Sequence, residues 1–86
     1  MNNIQKYQKK RDEMLLKCDP EALRKFVSDN TEYFTEDFIK RISEAPTEVL
    51  EIVLHKMIVN VTSLSPKRRR KSAEWLKARG FDLKVF

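Results

Sequence analysis

The chain has 86 residues, of which 41% are hydrophobic and 36% are charged, and its net charge is +5. This is enough apolar material for a core, and its periodic placement excludes a disordered chain. A chain of this length forms one domain with a thin core, so we treat 1–86 as a single small helical domain. With one glycine and many strong helix formers, the composition predicts an all-α fold, a compact bundle of four to five short helices around a central apolar helix.

The composition also suggests where the protein works. Cys18 is the only cysteine, which excludes an internal disulfide and fits a reducing cytoplasm. Residues 1–11 are polar, so we expect no signal peptide, and no run is long enough to cross a membrane without charge. We therefore expect a soluble cytoplasmic protein with no membrane contact.

Charge is distributed unevenly along the chain. Residues 19–51 hold 4 basic and 9 acidic groups, a net of −5, whereas residues 66–86 hold 8 basic and 2 acidic groups, a net of +6. Because such asymmetry governs encounters with charged partners more than it governs the fold, it directs attention to the C-terminal quarter.

The first half of the chain has the pattern of two helices joined at a clear break. Residues Asn2 to Cys18 have amphipathic spacing, and their polar start predicts a frayed first turn. Asp19 is a good N-cap and Pro20 suits the first helical position, so the second helix runs from Pro20 to about Ser28. The expected inward side chains are Ile4, Tyr7, Met14, Leu15 and Cys18 in the first helix, and Leu23, Phe26 and Val27 in the second.

A third, short helix is predicted from Thr35 as N-cap to about Ser43. Glu36 and Asp37 lie in its positive first turn, and Phe34 is placed to contact Ile39 across that turn. The helix stops before Pro46, since proline restricts the residue that precedes it. Its inward side chains are predicted to be Phe38, Ile39 and Ile42.

The central helix is predicted over residues 47–64, with Thr47 as N-cap. Ile58, Val59 and Thr62 are β-branched and also suit a strand, but the apolar run is too long for a typical strand. Its main apolar stripe comprises Leu50, Val53, Leu54, Met57, Ile58, Val61 and Leu64, and a second stripe comprises Val49, Ile52 and Val59.

A basic C-terminal helix at 66–79 follows, with Ser65 as N-cap and Pro66 at its first position. Gly80 is a natural residue to end it, and the tail at 81–86 alternates apolar and polar residues. The tail is predicted either as an extended segment laid on the bundle or as a small edge strand.

Five consecutive cations, residues 67–71, begin this helix. A helix N-terminus already carries positive potential, so an anion bound there would relieve the repulsion, and phosphate groups are the obvious candidates. Helical spacing places Arg69, Ala73 and Leu76 on the side expected to be buried. The candidate residues for binding nucleic acid or an acidic partner are Lys67, Arg68, Arg70, Lys71, Trp75 and Arg79.

Two interpretations of Trp75 remain open at this point. It either packs as the largest core residue of the fifth helix or lies on the basic face, where it could stack on a base or on the guanidinium of Arg68 or Arg79. The two last helices invite comparison with helix-turn-helix DNA readers. However, the first of them is too long and the turn lacks glycine.

The sequence gives little support for catalysis, and we expect the protein not to be an enzyme. His55 is the only histidine and lies one turn from Glu51, which favours a solvated or interfacial histidine over a general base. No second histidine or cysteine has metal-ligand spacing, so no metal and no cofactor are expected. Glu36 and Asp37 are explained by their place in a capped first turn.

The segments Leu54-His55-Lys56, Leu64-Ser65-Pro66 and SAEWLKARGF at 72–81 resemble the C-terminal half of small accessory proteins encoded by temperate, lambdoid-type phages of enteric bacteria. The resemblance covers the C-terminal third of the chain. It implies a bacterial cytoplasmic setting and a small non-enzymatic protein that acts on host or phage machinery, and it carries over no site residues. The basic run at 67–71 is longer here than in that pattern.

Two functions are compatible with these features. The first is a binding or regulatory protein that contacts nucleic acid or a nucleoprotein through its basic C-terminal helix. The second is a protein inhibitor or adaptor that docks on an acidic host protein surface, with a homodimer formed through the second apolar stripe of the central helix.

Overall fold

Five α-helices and one short 3-10 helix account for most of residues 2–84, the part of the chain described by the computed structural model. The helices are α1 (Asn3–Lys17), α2 (Pro20–Asp29), the 3-10 helix Thr31–Tyr33, α3 (Glu36–Glu44), α4 (Thr47–Asn60) and α5 (Pro66–Ala78). No strand occurs within residues 2–84, and the predicted all-α bundle is confirmed. None of the helices in this range is long and apolar enough to cross a membrane.

Three helices begin with a side-chain cap at the residue that the sequence indicated. Asp19, Thr35 and Ser65 each accept a hydrogen bond from a backbone amide in the first turn that follows, which confirms the predicted starts of α2, α3 and α5. Helix α1 begins with a reciprocal capping box between Asn2 and Gln5, which the sequence analysis did not predict.

The core lies on one side of α4 and is closed by the first three helices. Leu50, Leu54 and Ile58 of α4 are fully buried, as the main apolar stripe predicted. The buried side chains that surround them are Met14, Leu15, Leu23, Phe26, Val27, Phe38, Ile42 and Leu64. Ile4 was expected to face inward but is 59% exposed, because the first turn of α1 extends beyond this core.

Helix α4 begins one residue earlier than predicted and ends four residues before Leu64. Pro46 occupies the N-cap position without a side-chain cap, and Thr47 is the first helical residue rather than the cap. The helix ends at Asn60, and Val61 has extended backbone angles, which its β-branched side chain favours. Residues 61–65 therefore form the turn that reverses the chain into α5.

Hydrogen bonds connect that turn to α1. The Ser63 hydroxyl donates to Asp12 Oδ2 at 2.7 Å, and Arg11 Nη2 donates to Ser63 Oγ at 3.4 Å. A hydrogen bond also connects the tail to α4, since Asn60 Nδ2 donates to the carbonyl of Leu83 at 2.8 Å. Residues 81–84 are irregular and lie on the bundle, while Val85, part of the predicted alternation, lies outside the described residues.

Arg24 closes the C-terminal end of α3, which sequence reasoning did not predict. Its guanidinium donates to the carbonyls of Ile42 and Ser43 through Nη1 and of Ala45 through Nη2, at 2.7–3.0 Å. These carbonyls have no partners within their own helix, so one side chain satisfies three groups that a helix end leaves free.

We expect Arg24→Met to lower the free energy of unfolding by about 2 kcal/mol, since a charged donor to several carbonyls is removed while the apolar stem is kept. Lys25→Met is the matched control, because Lys25 is exposed and pairs only with exposed Asp29. Urea unfolding followed by circular dichroism measures both. Equal midpoints for the two variants would contradict the assigned role.

Candidate nucleic-acid interface

Helix α5 has firmly defined ends. Ser65 Oγ accepts from the Arg68 amide at 3.2 Å at the start, where Pro66 occupies the first position. At the other end Gly80, with φ +80°, allows the amide of Phe81 to reach the carbonyl of Leu76 at 3.0 Å. This is the Schellman arrangement that the glycine predicted, and it holds the last turn of α5 in place.

The inner face of α5 centres on Ser72 and Leu76, both fully buried. Leu76 was predicted to be buried, and Arg69 and Ala73 are half-buried beside it, as expected. Ser72 was not singled out by the sequence. Its hydroxyl lies 2.9 Å from Nδ1 of His55 on α4, so a polar contact joins the two helices at the middle of their interface.

Four side chains form a continuous polar line through this contact. Arg68 Nη1 donates to Ser72 Oγ at 3.3 Å, and His55 Nε2 lies 3.9 Å from Sγ of Cys18. Because Arg68 has only donors, the simplest assignment has Ser72 donate to Nδ1 of neutral His55 and leaves the ring proton on Nε2, facing the sulfur. The line therefore connects α5, α4 and the end of α1.

Burial lowers the pKa of His55, and the nearby charges of Arg68 and Arg79 lower it further, against an opposing effect of Glu51. The ring is half-buried and bonds Ser72 rather than pairing with Glu51. A solvated histidine was therefore the wrong alternative, and an interfacial one was correct.

Trp75 is half-buried, and its indole contacts two other side chains. The imidazole of His55 stacks on it with ring centroids 4.1 Å apart and an angle of 19° between planes. The guanidinium carbon of Arg79 lies 4.0 Å from the indole centroid, and Arg79 Nη1 donates to the Trp75 carbonyl at 3.0 Å. Trp75 thus joins the interface with α4 and also carries the cation contact considered in the sequence.

The basic residues of α5 divide into two groups. Arg68, Arg69 and Arg79 make bonds within the chain, and Arg69 Nε donates to the carbonyl of Val59 at 3.1 Å near the end of α4. The remaining cations, Lys67, Arg70, Lys71 and Lys77, are exposed, and helical spacing places them on the side opposite Ser72 and Leu76. We call this side, with Glu74 and Ala78, the outer face of α5.

No carboxylate within residues 2–84 forms an ion pair with α5. The ion pairs in that range are Arg11–Asp12, Arg24–Glu21, Lys25–Asp29, Arg41–Asp37 and Lys56–Asp82. Lys67, Arg70 and Lys71 were predicted binding residues, and here they project their charge into solvent. Arg68, Trp75 and Arg79 were predicted with them but lie on the flank that borders α4.

The line from Cys18 to Ser72 has little catalytic character. The Ser72 hydroxyl lies 2.9 Å from His55 Nδ1 but is fully buried, so a substrate cannot reach it, and the Cys18 sulfur lies 3.9 Å from Nε2. No group of three His, Cys, Asp or Glu side chains in the described range could hold a metal ion. The arrangement is explained by its role in joining three helices.

No family model matches this chain, and no curated protein or solved structure is significantly similar to it. The resemblance to phage accessory proteins and the absence of enzymatic activity therefore remain predictions from the sequence.

We expect Ser72→Ala to lower the free energy of unfolding by about 1–2 kcal/mol, since Nδ1 of half-buried His55 and one Arg68 donor lose their partner. Ser28→Ala, an exposed serine within α2, is the control and should change it by less than about 0.5 kcal/mol. Urea unfolding provides the comparison. A neutral Ser72→Ala would mean that the polar contact contributes nothing to stability.

The lowered pKa of His55 predicts that acid destabilises the fold. Below the ordinary value of 6.5 and above the folded-state pKa, the unfolded chain binds a proton that the folded chain does not. The free energy of unfolding should therefore fall as the pH decreases below about 6.5 toward the folded-state pKa, and less steeply in His55→Gln. Parallel curves for the two proteins would exclude His55 as the source.

Proposed function

We propose that this protein binds nucleic acid, free or within a nucleoprotein, through the outer face of α5. The single observation that supports this most strongly is the set of exposed cations, Lys67, Arg70, Lys71 and Lys77, with no carboxylate of residues 2–84 paired to them. Nucleic acid carries dense negative charge, and its affinity for proteins comes largely from such contacts.

The electrostatics of the helix support the same proposal. Lys67 lies in the first turn of α5, where the aligned peptide dipoles add positive potential, and Arg70 and Lys71 follow in the second turn. Like charges one turn apart repel each other, so these cations destabilise this end of the helix in the free protein. Bound phosphate groups would remove that repulsion and release the counterions they carry.

The alternative is an inhibitor or adaptor that meets an acidic protein surface, with a homodimer through Val49, Ile52 and Val59. Ile52 and Val59 share a helix face with His55, which packs on α5, and both are half-buried. Val49 is 43% exposed and is the main part of that stripe left open. The small open area favours the nucleic-acid proposal, and the cytoplasmic setting and the dimer remain predictions.

We expect Lys67→Gln, Arg70→Gln and Lys71→Gln together to weaken nucleic-acid binding at least about tenfold near 0.1 M salt. The slope of log affinity against log salt should become shallower by about 3, since three phosphate contacts are lost. Fluorescence anisotropy with a labelled random-sequence oligonucleotide measures both quantities.

The matched control carries Lys6→Gln, Lys9→Gln and Lys10→Gln, which removes the same charge from exposed positions of α1. It should keep most of the affinity. Equal losses in both variants would show that net charge alone is responsible. Capture of a host protein that survives nuclease treatment, with no nucleic-acid affinity, would favour the adaptor instead.

A further inference from the structure

The outer face of α5 is organised in two rows rather than one patch. Helical spacing places Lys67 and Lys71 along one edge and Arg70 and Lys77 along the other. Glu74 lies between the rows, one turn from Arg70, Lys71 and Lys77. No ion pair within residues 2–84 joins it to any of them.

The helix is accessible along its length. It lies at the edge of the bundle and packs chiefly on α4, and its outer face points away from that neighbour. Lys67 and Lys77 are ten residues apart, which corresponds to about 15 Å along the axis. The face is therefore a convex ridge, with positive charge on both slopes and a carboxylate at its crest.

Resting on the proposed function, we infer that the ligand of this ridge is double-stranded B-form DNA, contacted through the phosphates of both strands. A helix with its side chains is about 10–12 Å across, and the major groove is about 12 Å wide. A helix lying in this groove directs its two slopes at the two sugar-phosphate backbones. Each row of cations then meets one strand, and Glu74 faces base edges instead of phosphates.

The position of Glu74 favours this arrangement over a ridge lying across a single strand. A phosphate at the crest would meet the carboxylate directly, and like charges there oppose binding. At the groove floor a carboxylate is compatible with the bases, since cytosine presents an amino group as a donor. The position of Glu74 is therefore more compatible with two phosphate backbones, one along each row of cations, than with a single backbone over the middle of the face.

Trp75 gives a second, independent reason to favour a duplex. Proteins that hold single strands stack unpaired bases on exposed aromatic rings. Here the only tryptophan lies off the outer face, half-buried against His55 and in contact with the Arg79 guanidinium. The outer face itself has no aromatic residue. Double-stranded RNA fits poorly as well, because its major groove is deep and narrow.

The test compares one sequence as duplex DNA, single-stranded DNA and duplex RNA, at equal salt, with the full chain. Duplex DNA should bind about tenfold or more tightly than either other form, since only it engages both rows. Lys67→Gln with Lys71→Gln, and Arg70→Gln with Lys77→Gln, form a charge-matched pair of double variants. Each should lower duplex affinity and reduce the salt slope by about 2.

Emission from Trp75 reports on stacking, and it should not be quenched when the duplex binds. Tighter binding of the single strand with quenching of Trp75, or loss confined to one of the two double variants, would overturn the duplex assignment and leave the proposed function standing. Failure of the folded wild-type chain to bind any of the three forms would instead remove the proposed function, and this inference with it.

Discussion

The contact between α4 and α5 determines how this protein presents its charge. Helix α4 packs Leu50, Leu54 and Ile58 into the core on one side and offers His55 on another. The 2.9 Å contact from His55 to buried Ser72 fixes α5 in position, because a polar group buried at a helix interface must find its partner. Together with the fully buried Leu76, this contact sets the rotation of α5 about its axis, and that rotation determines which side chains face solvent.

The same contact sorts the basic run. Helical spacing spreads residues 67–71 around most of the helix, so the rotation of α5 decides which of them face the bundle. With Ser72 inward, Arg69 reaches the carbonyl of Val59 and Arg68 reaches Ser72 itself, so two of the five cations support the fold. The others remain on the outer face. A basic segment that looks uniform in the sequence is therefore divided between cations that bond within the chain and cations that face solvent.

Local signals in the sequence predicted the fold well, whereas contacts between distant residues were out of reach. Asp19, Thr35, Ser65 and Gly80 act within a few residues of their own position, and their roles were predicted correctly. Arg24, which serves carbonyls 18 to 21 residues away, gave no pattern to recognise. His55 and Ser72 are 17 residues apart, so their contact depends on how two helices rotate against each other. The basic run drew attention to Lys67, Arg70 and Lys71, but Lys77 was not singled out, and the partners of Arg68 and Arg69 were not predicted.

Stability and binding oppose each other in α5. Lys67 lies at the positive end of the helix dipole, and Arg70 and Lys71 lie one turn from it with the same charge, so these cations destabilise the free helix. The Ser65 cap, the glycine at position 80 and the buried Leu76 offset that effect. A ligand that binds the folded arrangement more tightly than the unfolded chain would stabilise the protein by mass action. If the proposed function holds, a small domain with a thin core would gain stability from its polyanionic ligand.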